Sequence, residues 1–169
     1  AQEVAQHYPN TVRIILSGAP GDHVAKMHQI NAGYAAARGD LIALVDPHVQ
    51  LTAELWSATL VALDDPAVGA VFAPPLVKEP ERLTSSAIPT GGEMLTAMHI
   101  NHARTAGLPF AALSNRIRAM ASGFIVVRRQ VLAEAGGLLH LLNAGDPPVA
   151  LGHSVRELGY RIVALTVAA

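Results

Sequence analysis

The amino-acid sequence predicts an α/β fold of three layers around a mostly parallel sheet. Three observations carry this. Short apolar or β-branched runs recur at residues 11–16, 41–45, 68–73, 121–127 and 160–167. Between them lie stretches with apolar residues three and four apart, the spacing of a helix face. Gly and Pro punctuate nearly every junction. Strands alternating with helices argue for layered α/β architecture.

Each element has its own reason. Residues 1–8 read as the tail of a helix closed by Pro9-Asn10. Thr11-Val12-Arg13-Ile14-Ile15-Leu16 is β-branched and apolar, which predicts a strand. Residues 17–22 form a loop by their Gly and Pro content. Residues 26–38 read as a helix, with Ile30, Gly33, Tyr34 and Ala37 on one face and Gly39 as its stop. Leu41-Ile42-Ala43-Leu44-Val45 is a buried strand that ends on Asp46-Pro47-His48. Thr52 caps a helix running to Leu63, with Leu55, Trp56, Thr59, Leu60 and Leu63 on one side. Residues 68–73 are a strand. Residues 74–92, with four Pro and two Gly, read as a long surface loop. Residues 93–106 are helical, and 121–127 are a strand. Arg128-Arg129, both expected to be exposed, opens a short helix ended by Gly136-Gly137. Residues 149–158 are a helix stopped at Gly159, and 160–167 the final strand.

Composition narrows the function classes. At 169 residues the chain is one domain, large enough for a real core. Apolar residues make up 51%, charged residues 15% and aromatics 4%, so the core is built from Ala, Val, Leu and Ile. A formal net charge of −1 gives no reason to expect nucleic acid as a partner. The absence of cysteine excludes disulfides and thiolate metal sites. No apolar run reaches the roughly 20 residues that span a bilayer, so the chain itself is expected to be soluble. Residues 1–8 start near the end of a helix, which predicts that the chain is a piece of something longer.

An acid and an imidazole at the carboxyl end of a buried strand sit where open α/β sheets bind ligands. Asp46 and His48 are therefore candidates for metal- and nucleotide-assisted chemistry. Each candidate also has an ordinary structural reading. Asp46 can cap a turn, which Pro47 favours. Lys26 can be a solvated residue at a helix start. Gly123 can be a bulge or close-packing glycine.

The order of signals extends this reading. A strand and a Gly-rich loop lead to Lys26. Ala37-Arg38-Gly39-Asp40 and Asp46-Pro47-His48 follow. Then come Asp65-Pro66-Ala67-Val68-Gly69-Ala70-Val71, the segment 123–129, Gly136-Gly137, Leu151-Gly152 and Leu158-Gly159-Tyr160-Arg161. Over nearly its whole length this series resembles the catalytic domain of GT-A fold glycosyltransferases of the family 2/21 type. It is most like the ceramide and hopanoid glucosyltransferase branch. The resemblance implies transfer of a hexose, glucose above all, from a UDP-sugar to a lipid hydroxyl with inversion. It implies a divalent metal, Mn²⁺ or Mg²⁺, held by Asp46 and His48 in the places of the family's D-x-D motif. It places Lys26, Asp46 and Gly123 at the donor. It also implies a membrane-associated parent protein whose catalytic domain is cytoplasmic.

The chain departs from that pattern in three ways. The family's opening strand-helix unit, which holds the base, is missing, so the domain at residues 1–169 is a partial GT-A domain. Aligning on Ala150-Leu151-Gly152 puts Pro147-Pro148 where the family carries the acidic pair that supplies the catalytic base. Asp146 is then the nearest candidate base, and its ordinary reading is a helix-start residue. The Q-x-x-R-W motif is absent. The alternative to an active enzyme is an inactive GT-A remnant with a structural or weak nucleotide-binding role. An unrelated nucleotide-binding domain is the third reading, and no P-loop or Gly-rich phosphate fingerprint supports it.

Overall fold

A computed structural model describes residues 2–74, 117–121 and 123–165, together with Gly92 and Leu95. In chain order the described elements are α1 (Gln2–His7), α2 (Ala25–Ala36), β1 (Leu41–Val45), α3 (Ala53–Leu63) and β2 (Val68–Ala73). They continue with β3 (Phe124–Arg128), α4 (Arg129–Glu134), a 3₁₀ turn (Leu139–Leu141), α5 (Pro147–Glu157) and β4 (Arg161–Ala164). Most of the expected loop at 74–92, and of the expected helix at 93–106, lies outside the described residues.

The four strands form one sheet in the order β1-β3-β2-β4. β3 pairs antiparallel with both β1 and β2, while β2 pairs parallel with β4. Three strands therefore run one way and β3 opposes them from inside the sheet. The α/β expectation holds. The single reversed strand makes two of the three ladders antiparallel because it sits between neighbours.

Side-chain alternation along the strands divides the core in two. Ala70, Phe72, Ile125, Val127, Ile42 and Ile162 face one side. There they meet Met27 of α2, Val131 and Leu132 of α4, and Leu151 and Val155 of α5. Val71, Ala73, Phe124 and Val126 face the other side and meet Leu55 and Leu63 of α3. Helices thus cover both faces. β2, second from the sheet edge, is buried at all six positions, as its unbroken apolar run requires.

α3 forms as its sequence dictates. Thr52 accepts a hydrogen bond from the Leu55 amide at 3.2 Å and so satisfies a donor the helix start would leave orphaned. Leu55, Thr59 and Leu63 are buried, one face at helical spacing. Trp56 meets the edge of Phe124, centroids 5.5 Å apart. The buried Thr59 hydroxyl donates to the Leu55 carbonyl at 2.7 Å, which offsets the cost of its burial.

Residues 11–16 are not a strand. The amides of Thr11 and Val12 both donate to the Tyr8 carbonyl and close the end of α1. The Arg13 guanidinium donates to the Ala36 carbonyl. Beyond these bonds the segment joins no ladder, and Leu16 is 91% exposed. Propensity makes such a run competent for a strand, but a strand exists only through a partner. Arg128 and Arg129, expected at an exposed helix start, are half-buried. Arg128 ties β3 to the α3–β2 junction through the carbonyls of Val68, Leu63 and Asp65. Arg129 donates to the Gly39 carbonyl at 2.6 Å and lies over the Tyr34 ring. Among the described residues, no helix is long and apolar enough to cross a membrane.

Candidate functional site

β1 ends at Val45, and the chain is held in place one residue later. The Asp46 amide donates to the Gly123 carbonyl at 2.9 Å, so the β1–β3 pairing extends just past the strand. Gly123 is buried at φ 118°, a backbone conformation that residues with a Cβ rarely adopt. These two residues fix the backbone from which the Asp46 carboxylate projects. That side chain is 15% exposed and meets the Lys26 ammonium at 2.6 Å.

Lys26 is the second residue of α2. The start of that helix is tethered across the site. The Val24 amide donates to the Leu142 carbonyl at 3.3 Å, and the His23 ring bonds Asn143 at 3.2 Å. The segment after the 3₁₀ turn is thereby tied to the start of α2.

Asp146 stands at the start of α5, where Pro147 and Pro148 occupy the first two helical positions. Proline has no amide hydrogen, so Val149 carries the first free N–H of the helix. The Asp146 carboxylate accepts from that amide at 3.4 Å. The ordinary helix-start reading of Asp146 is thus its observed contact.

These pieces enclose one cleft of about 430 Å³, within the usual range for a small-molecule site. Lys26, Asp46, Gly123 and Asp146, drawn from four separate segments, all line it. Its floor and wall are apolar, with Met27, Ile30, Leu44, Ile125, Leu141 and Leu151 among the lining residues. His48 does not line the cleft and is exposed. Residues two apart share a face only in extended backbone. The Val49 amide donates to the Asp46 carbonyl at 3.0 Å and closes a turn over Pro47 and His48, so the imidazole leaves the face that Asp46 occupies.

Two contributions were not foreseen. Gln29 lines the cleft one helical turn along from Lys26, and the three-residue spacing on a helix would have found it. Leu138 and Leu141 supply wall through the 3₁₀ turn, for which no local pattern exists.

The donor set can be tested against the implied metal. Among the described residues no group of three or more His, Asp or Glu side chains is gathered to hold an ion. Asp46 offers one well-anchored carboxylate, a hard oxygen donor. Mg²⁺-type ions are commonly held by one or two carboxylates together with substrate phosphates. The site fits a cation that arrives with a phosphorylated ligand and does not fit an all-protein cage.

Comparison with known proteins bears on the family and the fold. The sequence matches the family model for glycosyl transferase family 21 over residues 1–168. No curated protein matches it. Among solved structures, it resembles the mannosyltransferase PcManGT from Pyrobaculum calidifontis in complex with GDP-Man and Mn²⁺. The TM-score is 0.61 at 16% identity, covering 97% of this chain and 40% of that one. This chain therefore spans about two fifths of that enzyme's length, and the likeness is one of GT-A fold.

Proposed function

Because the chain belongs to glycosyltransferase family 21, we propose that its cleft binds a nucleotide-sugar donor and transfers the sugar to an acceptor hydroxyl. The observation that carries this reading is the meeting of Lys26, Asp46, Gly123 and Asp146 around one cleft beside the carboxyl end of β1.

Each residue has a role that its chemistry suits. Asp46 is the anchored carboxylate that would hold a divalent ion, Mn²⁺ or Mg²⁺, together with the donor diphosphate. His48 would be the second ligand in this reading only if the turn at residues 46–49 opened. A bound ion would supply Lewis-acid stabilisation of the departing diphosphate. Lys26 is the one cationic side chain among the described lining residues, and as a point charge it suits phosphate oxygens. Gly123 removes a side chain where the donor lies against the backbone. The acceptor oxygen attacks the anomeric carbon while the bond to the diphosphate oxygen breaks. The electron pair leaves with the nucleoside diphosphate, the acceptor proton passes to Asp146, and the anomeric configuration inverts.

We take the donor to be a UDP-hexose, glucose first, and the acceptor to be a lipid hydroxyl. The resemblance to the glucosyltransferase branch supports this choice, and the apolar wall offers surface to an apolar acceptor. The reaction would then run at a membrane surface. GDP-Man, held by the structurally similar mannosyltransferase, is the competing donor. Thermal unfolding with Mn²⁺ and either UDP or GDP decides between them. Stabilisation by UDP alone supports the assignment, stabilisation by GDP alone reassigns the base, and no shift with either at millimolar concentration sinks donor binding.

The second reading is a domain that binds nucleotide without catalysis. The use of the Asp146 carboxylate as a helix cap favours it. Donor binding without sugar transfer to any lipid hydroxyl would support it.

A further inference from the structure

We infer that Lys26 stands in for the divalent cation on Asp46 in the nucleotide-free protein and yields that place only when a nucleoside diphosphate arrives. Nucleotide and metal would then bind cooperatively. This rests on the donor reading above and adds to it an order of events.

The ion pair carries the argument. At 2.6 Å from Oδ1 the ammonium takes one of the approaches by which a hard cation reaches that carboxylate. Metal–oxygen distances of about 2.0–2.6 Å leave no room for both on the same lone pair. The two partners differ in freedom. Asp46 is 15% exposed and its backbone is pinned to Gly123, whereas Lys26 is 56% exposed on a flexible four-carbon stem. The ammonium is the partner that can leave.

The alternatives open to Lys26 are few. Asp146, the other carboxylate among the described lining residues, already accepts from the α5 amide. A bare divalent ion arriving at Asp46 must displace the ammonium into water, and it feels that charge at close range. A diphosphate changes both terms. It offers the ammonium new oxygen partners within the cleft and brings the ion already bound. Metal affinity must therefore rise with nucleotide present, and by linkage nucleotide affinity rises with metal by the same factor.

Mn²⁺ binding to the whole chain, read from the electron paramagnetic resonance of free Mn²⁺ against a protein-free UDP–Mn²⁺ blank, tests this. Lys26→Gln is expected to bind Mn²⁺ alone about two- to fivefold more tightly than wild type. It should also gain less from saturating UDP than wild type does. Lys26→Arg keeps the charge and should retain both weak Mn²⁺ binding and the response to UDP. If Lys26→Gln binds Mn²⁺ no more tightly than wild type, or responds to UDP undiminished, the exchange is wrong. Asp46→Asn separates this failure from a deeper one. If Mn²⁺ binding survives Asp46→Asn, the ion is not on Asp46, and the metal assignment falls together with the exchange. If Asp46→Asn abolishes binding while Lys26→Gln changes nothing, only the exchange falls.

Discussion

Two carboxylates line the same cleft, and the fold treats them differently. Asp46 follows β1, expected to be buried but an edge strand in which only Ile42 is buried, has its backbone pinned by Gly123 and has its charge met by a lysine. Asp146 precedes a helix, is exposed, and spends one oxygen on a backbone amide at 3.4 Å. The first owes its position to the sheet and has little to do with local stability. The second owes its position to the helix it caps and contributes to that helix. Fixity suits a ligand for an ion and a diphosphate, whose charges must be met at a set place. An exposed acid at the start of a helix, among the residues that line the cleft, suits contact with an acceptor. The contrast teaches that position in the cleft and use by the fold are separate properties, and substitutions can take them apart.

The largest effect is expected at Asp46. Asp46→Asn should abolish stabilisation by UDP with Mn²⁺ in a thermal unfolding experiment, because an amide cannot replace the ionised carboxylate toward a divalent ion. The protein without ligand should lose little, since an ion pair with a half-exposed lysine is worth about 0–1 kcal/mol. A normal ligand shift in this variant would break the comparison at its first term.

Asp146→Asn comes next. Asparagine caps a helix about as well as aspartate, so the fold should be unchanged while the proton acceptor is lost. Sugar transfer is expected to fall about 10²–10⁴-fold, with donor binding intact by calorimetry. Unchanged turnover would leave Asp146 a cap and nothing more, and would favour the non-catalytic reading.

The parts of this arrangement that were legible in the sequence are those decided locally or by burial on both sides. β2 was legible to the residue, because a strand covered on both faces reads as an unbroken apolar run. α3 was legible through Thr52 and the Leu55, Thr59, Leu63 spacing. α5 begins two residues earlier than expected because prolines suit the first helical positions. Residues 11–16 misled because strand propensity is local and pairing is not. The cleft residues were legible one by one as motif positions. Their convergence was not, since Lys26 and Asp146 lie far apart in sequence and meet only through the packing of α2 and α5 on the sheet. His48 shows the converse. Two residues from Asp46 in sequence, it is carried away by a four-residue turn that Pro47 announces.

The placement of Asp146 depends on how closely α5 lies against the segment before β3. Gly152 makes that approach possible: a Cβ there would stand 2.5 Å from the Arg118 carbonyl oxygen and 3.2 Å from the Ala119 Cα. Both are backbone atoms and cannot rotate aside. Gly152→Ala gains about 1 kcal/mol of helix propensity, against a typical overpacking cost of about 1–3 kcal/mol. The clash should win, with net destabilisation in urea unfolding of up to about 2 kcal/mol. A stabilised Gly152→Ala protein would show that α5 can shift outward freely, and that the cleft does not hold Asp146 in a set place.

The smallest effect separates the cap from the base on stability alone. Asp146→Ala removes the acceptor for the Val149 amide, and the two prolines provide no other amide in the first turn to share the loss. Replacing a capping aspartate by alanine costs about 0.5 kcal/mol at the low end, which in a domain of this size lowers Tm by about 1–2 °C. Asp146→Asn should not move Tm. The bond is long and exposed, so the cost belongs at the low end of the capping range. If alanine and asparagine melt together at the wild-type temperature, the 3.4 Å contact contributes nothing. The fold then has no use for the carboxylate, and the cleft is left as the reason for an acid at that position.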